Sequence, residues 1–346
     1  MKGYRVAVVG PLSPFGQRVR ALLDQSDQQV LPVIELKLFD GQPNAGSVLS
    51  QFEDEVLVTQ ALDSDLFPSL DVMFVGEDTS PEVLAEAAAA ASQGVLTLAA
   101  GGQIQAPVAA AGLNEKFLPE DARLFGLPDG ASILLGKVFE ALSAAFEVEQ
   151  AHGTVMLPAS ELGEAAVKEL HQQVVQLLNF GEPPTEVIGE QLAFNLLAPP
   201  TGKDKTEESK EARPEIRIAK EVCELAGLEE NRFSVSLVLA PVFHGYAVSL
   251  WVQLAEQPTA EAVVAALAER ADLDTSELLE VPEGVARAVS PAAVADSKQV
   301  HVGHVRPDGR QAGGFWLWLA ADTAAVDSAQ NALELGKKLL SGDGST

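Results

Sequence analysis

The sequence predicts an α/β protein with two domains, in which a doubly wound parallel sheet is followed by a second α+β domain. Its 346 residues exceed what one ordinary hydrophobic core accommodates, which favours two domains. Short, β-branched apolar runs alternate with helical segments in the first part of the chain, as they do in parallel sheets. After Pro128 the strand-like runs become longer, so a different kind of domain is expected there.

The first domain is predicted from a strand, a glycine turn and a helix at its start. Tyr4–Val9 has the pattern of a buried strand, Gly10–Gly16 forms the turn, and Gln17–Gln25 has helical spacing. Repetition of this unit predicts a Rossmann-like sheet. Four further strands are predicted at Val30–Phe39, Val56–Thr59, Asp71–Val75 and Gly94–Leu98. A helix is also predicted, which Ser80 and Pro81 can start and Glu82–Ser92 continues.

The second domain is predicted to begin with a helix that Asp129 can cap, starting around Gly130 and running through Ile133–Phe146. The charged segment Thr201–Glu211 reads as an exposed loop. Further strands are predicted at Ala151–Leu157, Phe233–Leu239, Ala247–Leu254, Gln299–Arg306 and Gly314–Leu319, the last two around a turn at Pro307–Gly309, and further helices at Leu162–Leu178, Glu215–Ala226, Ala260–Ala271 and Ala324–Leu340. The predicted domains are residues 1–130 with 321–346, and residues 131–320.

Composition restricts the partners and the compartment. A hydrophobic content of 47% predicts a packed globule, and a net charge of −27 makes nucleic acid and anionic membranes poor partners. No apolar run reaches the ~18 residues needed to cross a bilayer, and no signal-peptide pattern precedes the first strand. One cysteine, Cys223, fits a reducing compartment, so we expect a cytoplasmic protein.

The turn at Gly10–Gly16 has the outline of a dinucleotide-binding turn. Gly10 and Gly16 stand at its outer positions, where glycine permits a tight bend and a close approach to phosphate. Pro11 and Pro14 remove two N–H donors from the part that would hold the phosphate, and Ser13 places a side chain there. The pattern is equally that of a strand-to-helix turn without a ligand.

Four segments resemble the aspartate-semialdehyde dehydrogenase family, especially its divergent Usg-type homologues. The glycine turn resembles GATGxVG, and LPDGAS at Leu127–Ser132 stands where the family has NPNC(S/T)T. EQLAFNLLAPP at Glu190–Pro200 is similar to QLAFNxxP, and APVFHGYAVSL at Ala240–Leu250 is similar to VPVxxGHS. The resemblance covers nearly the whole chain. It implies a Rossmann-like domain that binds NADP or NAD, and a second domain that forms a homodimer.

In the family that the chain resembles, a cysteine thiolate attacks an aldehyde, the adduct gives hydride to NADP, phosphate releases the product, and a histidine is the acid and base. By the resemblance, Gly130 stands at the cysteine's place, Tyr246 at the histidine's and Leu239 at that of a substrate-binding arginine. Glycine offers no nucleophile, and a phenol that titrates near ~10 is a poor base at neutral pH.

Other family positions are also changed. LPASELG at Leu157–Gly163 has no clear counterpart of the substrate glutamine, and AAGG at Ala99–Gly102 replaces an aspartate and serines. In the loop after the second strand, FDGQPNAG at Phe39–Gly46 has no arginine, and Asp40 would repel a 2′-phosphate. Together these departures predict a copy that does not catalyse the family's reaction.

Several side chains remain as weaker candidates. Ser132 could replace the thiol if a base activated it, and His244, two residues before Tyr246, would share its face of a strand. Cys223 lies mid-helix and reads as a core residue. His301 and His304 are three residues apart on a strand and would face opposite sides, so no metal site is predicted.

The sequence therefore predicts a non-catalytic relative of aspartate-semialdehyde dehydrogenase that forms a homodimer and binds a protein partner or a different small ligand. Two alternatives stay open. One is an active NAD(P)-dependent semialdehyde dehydrogenase with altered residues. The other is an enzyme with a changed substrate that uses Ser132, His244 or Tyr246.

Overall fold

A computed structural model describes residues 3–24, 30–40, 48–52, 55–77, 79–199, 213–276, 279–280, 286–287 and 289–342. The predicted loop at Thr201–Glu211 and most of the segment at Phe39–Gly46 lie outside the described residues. The chain forms two compact units. Unit 1 consists of Met1–Asp129 with Asp327–Thr346, and unit 2 of Gly130–Val326. The chain thus returns to unit 1 at Asp327, later than residue 321, where the sequence prediction placed this return.

Unit 1 is built on a seven-stranded sheet of order β3-β4-β2-β1-β5-β6-β7, as far as the structure describes it. Its strands pair in parallel except for β3, which runs antiparallel to β4 at one edge. The edge strands β3 and β7 are absent from the sequence prediction, and the second strand begins at Val33 instead of Val30. The strands are β1 Tyr4–Val9, β2 Val33–Asp40, β3 Val48–Phe52, β4 Glu55–Ala61, β5 Val72–Val75, β6 Leu96–Ala99 and β7 Leu124–Gly126.

Alternate residues of β1 pack into two different helical layers. Val6 and Val8 belong to a core cluster that includes residues of the first and the last helix of the chain, whereas Ala7 and Val9 pack with the helix that follows β5. A parallel sheet with apolar side chains on both faces needs this double cover. The predicted fold class, a doubly wound α/β sheet with a second α+β domain, is confirmed.

The helices of unit 1 begin at polar caps. The hydroxyl of Ser13 caps α1, Pro14–Leu23, and that of Ser80 caps α2, Pro81–Ser92. The predicted last helix at Ala324–Leu340 is two segments, because Asp327 separates a 3-10 turn at Thr323–Val326 from the final helix. The Asp327 carboxylate accepts N–H groups of that helix, which is α7, Ser328–Ser341.

Unit 2 is built on a six-stranded mixed sheet of order β11-β14-β15-β10-β8-β9, with a separate two-stranded pair β12-β13, in the part of the chain that is described. The predicted strand pair around Pro307–Gly309 is confirmed as the antiparallel pair β14 and β15. The strands are β8 Val148–Leu157, β9 Phe233–Leu239, β10 Tyr246–Leu254, β11 Leu273–Asp274, β12 Leu279–Glu280, β13 Ala286–Arg287, β14 Val300–Pro307 and β15 Gly314–Ala321.

One face of this sheet is covered by helices that share a single core with it. α3, Gly130–Ser143, is buried along almost its whole length, which its continuous apolar sequence requires. It packs against α5, Pro214–Ala226, and α6, Ala260–Ala268. α4, Glu164–Leu178, begins after Gly163. The φ of 90° at Gly163 is not helical, so it separates α4 from the preceding 3-10 turn and explains why the helix starts later than the predicted Leu162.

Two buried polar side chains of α4 hold the irregular segment that follows it. The Gln173 amide donates to the carbonyl oxygens of Pro184 and Glu190, at 2.8 and 3.0 Å, and its oxygen accepts from the N–H groups of Leu192 and Ala193, at 2.8 and 2.9 Å. The carboxylate of Glu169 accepts two more backbone N–H groups of this segment. The described part of the chain contains no helix long and apolar enough to cross a membrane.

Gln173→Leu should strongly destabilise unit 2. The change leaves the buried N–H groups of Leu192 and Ala193 without the side-chain oxygen that pairs them, at about 1–3 kcal/mol each, so we expect a loss of about 2–6 kcal/mol in the free energy of unfolding. Urea denaturation measures it. Gln172→Leu is the matched control, because Gln172 is the exposed neighbour on the same helix. Equal stability of both variants would contradict the structural role of Gln173.

Candidate functional site

The turn between β1 and α1 is built around close backbone contacts. Gly10 has a φ of 68°, a conformation that favours glycine. A Cβ on Gly16 would overlap the carbonyl oxygen of Gly10 and lie 2.9 Å from Cα of Pro11. Both predicted glycine positions are therefore required by the shape of the turn itself. They need no ligand to explain them.

The turn also satisfies its own hydrogen-bond donors. Ser13 Oγ accepts the N–H of Gly16 at 3.1 Å, so the side chain lies where an incoming phosphate oxygen would accept. Pro11 and Pro14 have no N–H to offer. Five N–H groups from this stretch donate inside unit 1: those of Gly10, Ser13, Phe15, Gly16 and Gln17.

A carboxylate from elsewhere in unit 1 accepts one of these donors. The N–H of Phe15, in the first turn of α1, donates to Oε1 and Oε2 of Glu77, at 3.0 and 3.3 Å. Glu77 follows β5, and β1 and β5 are neighbours in the sheet. These residues do not fit the pyrophosphate of NADP or NAD, because an anion of the chain already accepts the donor that such a group would use. The sequence prediction did not single out Glu77.

Asp40 is the last residue of β2 and is half-buried. In open sheets of this kind, a residue at the end of the second strand contacts the ribose of a bound dinucleotide. The predicted repulsion of a 2′-phosphate by Asp40 stays a prediction, since the residues that follow it, 41–47, lie outside the described part of the chain.

In unit 2, Gly130 is the first residue of α3, and Tyr246 is the first residue of β10. A Cβ on Gly130 would overlap Oη of Tyr246 and lie 3.1 Å from both its Cζ and the carbonyl oxygen of Val326. Tyr246 is only 2% exposed. The phenol therefore fills the space into which a side chain at position 130 would extend, so the two changed family positions are in direct contact.

The phenol of Tyr246 is held by Glu161. Its hydroxyl donates to Oε1 of Glu161 in a short hydrogen bond. Glu161 lies in the 3-10 turn Ala159–Leu162, within the LPASELG segment. A neutral phenol that donates to a carboxylate is a proton donor, whereas thiol activation requires a proton acceptor. The geometry thus places a hydrogen-bonded phenol against the first residue of α3.

The two weaker candidates, Ser132 and His244, have separate surroundings. Ser132 is fully buried, and its hydroxyl donates to Oε2 of Glu221 at 2.6 Å, while Oε1 of the same carboxylate lies 3.3 Å from Nη1 of Arg217. The expectation that His244 shares a strand face with Tyr246 is wrong. β10 begins only at Tyr246, and Gly245, with a φ of 85°, turns the chain so that His244 is exposed.

Leu239 and Cys223 are parts of the core. Leu239, at the predicted place of the substrate arginine, ends β9, is buried, and pairs with the backbone of Leu197. Cys223 lies in α5 and is buried, as predicted. Burial raises the pKa of the Cys223 thiol above its usual range, so it stays protonated at neutral pH and is a poor nucleophile.

The two histidines of the HVGH segment have separate surroundings. His301 Nδ1 lies 3.2 Å from a carboxylate oxygen of Asp274, and its Nε2 lies 2.8 Å from Oγ of Ser297. His304 is exposed and has a φ of 51° at an irregularity in the pairing of β14 with β15. Among the described residues, no cluster of three or more His, Cys, Asp or Glu side chains could hold a metal ion.

The parallel sheet of unit 1 and the mixed sheet of unit 2 define a two-domain α/β protein of the dehydrogenase type. The family described as semialdehyde dehydrogenase, dimerisation domain, matches residues 139–324. A USG-1 protein homolog of Pseudomonas aeruginosa is 30% identical over 342 residues, covering 97% of each chain. The chain belongs to the aspartate-semialdehyde dehydrogenase family.

Two further comparisons agree. An aspartate-semialdehyde dehydrogenase of Prochlorococcus marinus is 24% identical over 343 residues, which are 97% of this chain and 95% of that one. The solved structure of a probable aspartate-semialdehyde dehydrogenase from Pseudomonas aeruginosa is similar with a TM-score of 0.79 and 27% identity, and the alignment covers 98% of this chain and 99% of the other. The resemblance predicted from sequence motifs is confirmed.

Gly130→Ala should destabilise the protein, because the added methyl group overlaps the phenol oxygen of Tyr246. Overpacking of this kind costs about 1–3 kcal/mol. In a Tyr246→Phe background the same change should cost less, since the overlapping oxygen is gone. Urea denaturation of the four chains of this double-mutant cycle measures the coupling.

Gly309→Ala is the matched control for this cycle, because a Cβ at Gly309 meets no heavy atom within 4 Å. Its stability should stay close to that of the unchanged chain. Full additivity of Gly130→Ala and Tyr246→Phe would show that the two positions do not share one space.

Proposed function

We propose that this chain is a non-catalytic member of the aspartate-semialdehyde dehydrogenase family, which acts as a homodimer by binding a protein partner or a different small ligand. One observation carries the proposal: Gly130 at the start of α3 is packed against the phenol of Tyr246. The family's chemistry, as the resemblance implies it, needs a thiolate at the first position and a base at the second.

Both requirements fail for physical reasons. Glycine has no atom that could form a covalent adduct with an aldehyde. A phenol titrates near ~10, so at neutral pH it carries its proton and accepts none from a thiol. Cys223, the single cysteine of the sequence, is buried in α5 with a raised thiol pKa. This speaks against the alternative of an active semialdehyde dehydrogenase that uses another thiol.

The alternative of a changed substrate lacks a supporting observation. It needs Ser132 to be deprotonated by a nearby base and to reach a substrate. Ser132 is fully buried and donates to Glu221, whereas His244 is exposed on the loop before β10.

The acidic chain, with a net charge of −27, is also a poor partner for nucleic acid. We place the protein in the cytoplasm, in keeping with its single thiol.

The purified chain should not reduce NADP or NAD when given aspartate semialdehyde and phosphate, because it has no nucleophile to form the adduct that gives up hydride. Reduced-cofactor absorbance, followed against a blank without protein, measures this. A family member that has the cysteine and the histidine, assayed in parallel, shows that the reagents are competent.

Turnover by the unchanged chain would overturn the proposal. Tyr246→Phe and Ser132→Ala would then assign it. Loss of that turnover in Tyr246→Phe or in Ser132→Ala would identify the side chain that such an altered dehydrogenase uses.

The homodimer is proposed to form through the sheet face of unit 2 opposite the helices. Side chains alternate along β10 and β15, so that Leu250 and Leu317 point into the core while Trp251 and Trp316, which are directly paired, point the other way. Both tryptophans are half-buried in the single chain. Trp318 lies on this face as well, and His152 stacks on Trp251 at a centroid distance of 5.6 Å.

This aromatic composition is typical of protein interfaces. Tryptophans that keep polar contacts at one end, as Trp251 does with Asp308 at 3.0 Å, suit a surface that becomes buried on association. The match of residues 139–324 to a dimerisation domain supports the same assignment, because it includes β10 and β15.

Trp316→Glu should weaken the homodimer, because a charge would be buried in the proposed interface. Light scattering after gel filtration should give twice the 36.4 kDa of one chain for the unchanged protein and a shift toward 36.4 kDa for the variant. Phe117→Glu, at a highly exposed position in unit 1, is the control and should stay dimeric. If Trp316→Glu stays as dimeric as Phe117→Glu, this face is excluded as the interface.

A further inference from the structure

The carboxylate of Glu77 lies at the N-terminus of α1, at the point where the strand order of unit 1 reverses. The chain moves from β1 outward to β2 and β4, then crosses back to β5 on the other side of β1. In open α/β sheets the crevice beyond the carboxyl ends of the two central strands receives anionic ligands. Glu77 comes directly after Gly76, which follows the end of β5.

We propose that Glu77 is an internal anion that occupies the phosphate position of unit 1, and that it is what bars dinucleotides and other phosphate ligands from this turn. The N–H of Phe15 donates to both of its carboxylate oxygens, as it would to two oxygens of a phosphate. The argument uses only residues of unit 1, so it stands apart from the loss of catalytic groups in unit 2.

Glu77 is fitted into this place by glycines around it. A Cβ on Gly101 would lie 2.9 Å from Cβ of Glu77, so the glycine in the AAGG segment leaves room for the glutamate stem. A Cβ on Gly76 would overlap Oγ of Ser13, the hydroxyl that caps α1. Glu77 and Ser13 therefore accept hydrogen bonds from neighbouring backbone groups. Glu77 accepts the N–H of Phe15, and Ser13 accepts the N–H of Gly16.

The carboxylate of Glu77 also turns the attraction of anions to the N-terminus of α1 into a repulsion. The N-terminus of a helix carries a partial positive charge that attracts an anion. A carboxylate that is already bound there cancels this attraction and repels a second anion. The prolines of the turn remove donors, but they leave the helix N-terminus in place. Glu77 is the group that neutralises it.

Glu77→Ala should open the turn to phosphates. Titration calorimetry with NADP and, separately, with inorganic pyrophosphate measures the affinity of the full chain. We expect the unchanged chain to bind both probes too weakly to saturate, and Glu77→Ala to bind them at least about tenfold more tightly, because the N–H of Phe15 and the positive end of α1 become available. Glu82→Ala, which removes one exposed acid from the first turn of α2, controls for the change in net charge and should behave like the unchanged chain.

Circular dichroism and a thermal melt establish whether each variant folds. Glu77→Gln keeps the acceptor for Phe15 without the charge, so it should fold and gain affinity to a smaller degree than Glu77→Ala. If Glu77→Ala does not fold, Glu77→Gln alone decides.

Two results would overturn the proposal. A folded Glu77→Ala, or in its absence Glu77→Gln, with no gain over the unchanged chain would assign the block to Pro11 and Pro14. An unchanged chain that already binds NADP as tightly as the variants would show that Glu77 is no barrier. Because the readout is binding and not turnover, neither result bears on the absence of catalysis in unit 2.

Discussion

The contact between the Tyr246 phenol and Gly130 determines what unit 2 can do. The phenol is buried, and its hydroxyl has a partner in Glu161, so the tyrosine is held in one place. Its oxygen takes the volume that any side chain at position 130 would need. The start of α3 is therefore occupied by a packed, hydrogen-bonded core contact.

Unit 1 follows the same physical rule with different residues. The first turn of an α-helix leaves N–H groups without partners, and these must be satisfied by a ligand, by water or by the protein itself. In α1 the protein supplies them, through the hydroxyl of Ser13 and the carboxylate of Glu77. In both units a side chain of the same unit thus satisfies the packing or the hydrogen bonds at the start of a helix.

The sequence predicts the regular elements well, because apolar periodicity and caps are local signals. β9 and α2 are good examples, the first an alternating strand and the second a helix opened by Ser80 and Pro81. β7 was not predicted, since three residues carry no periodicity and it exists only through pairing with β6. The expectation for His244 failed because one glycine with a positive φ ends the strand pattern.

The sequence singles out Gly130 and Tyr246 but not the contact between them. Gly130 and Tyr246 were each recognised as changed, yet their contact joins residues far apart in the chain, and no local pattern reports it. Glu77 had a usable signal, an acid directly after the end of a central strand, at the edge where phosphates bind.

The contact in unit 2 also makes either residue hard to replace alone. A side chain added at position 130 meets the phenol oxygen, whereas a smaller residue at position 246 removes the hydrogen bond to Glu161 and opens a space beside Gly130. Each single change therefore carries its own cost in packing or hydrogen bonding, and only a paired exchange would avoid both. Because each of the two residues depends on the other, their contributions to stability should be coupled.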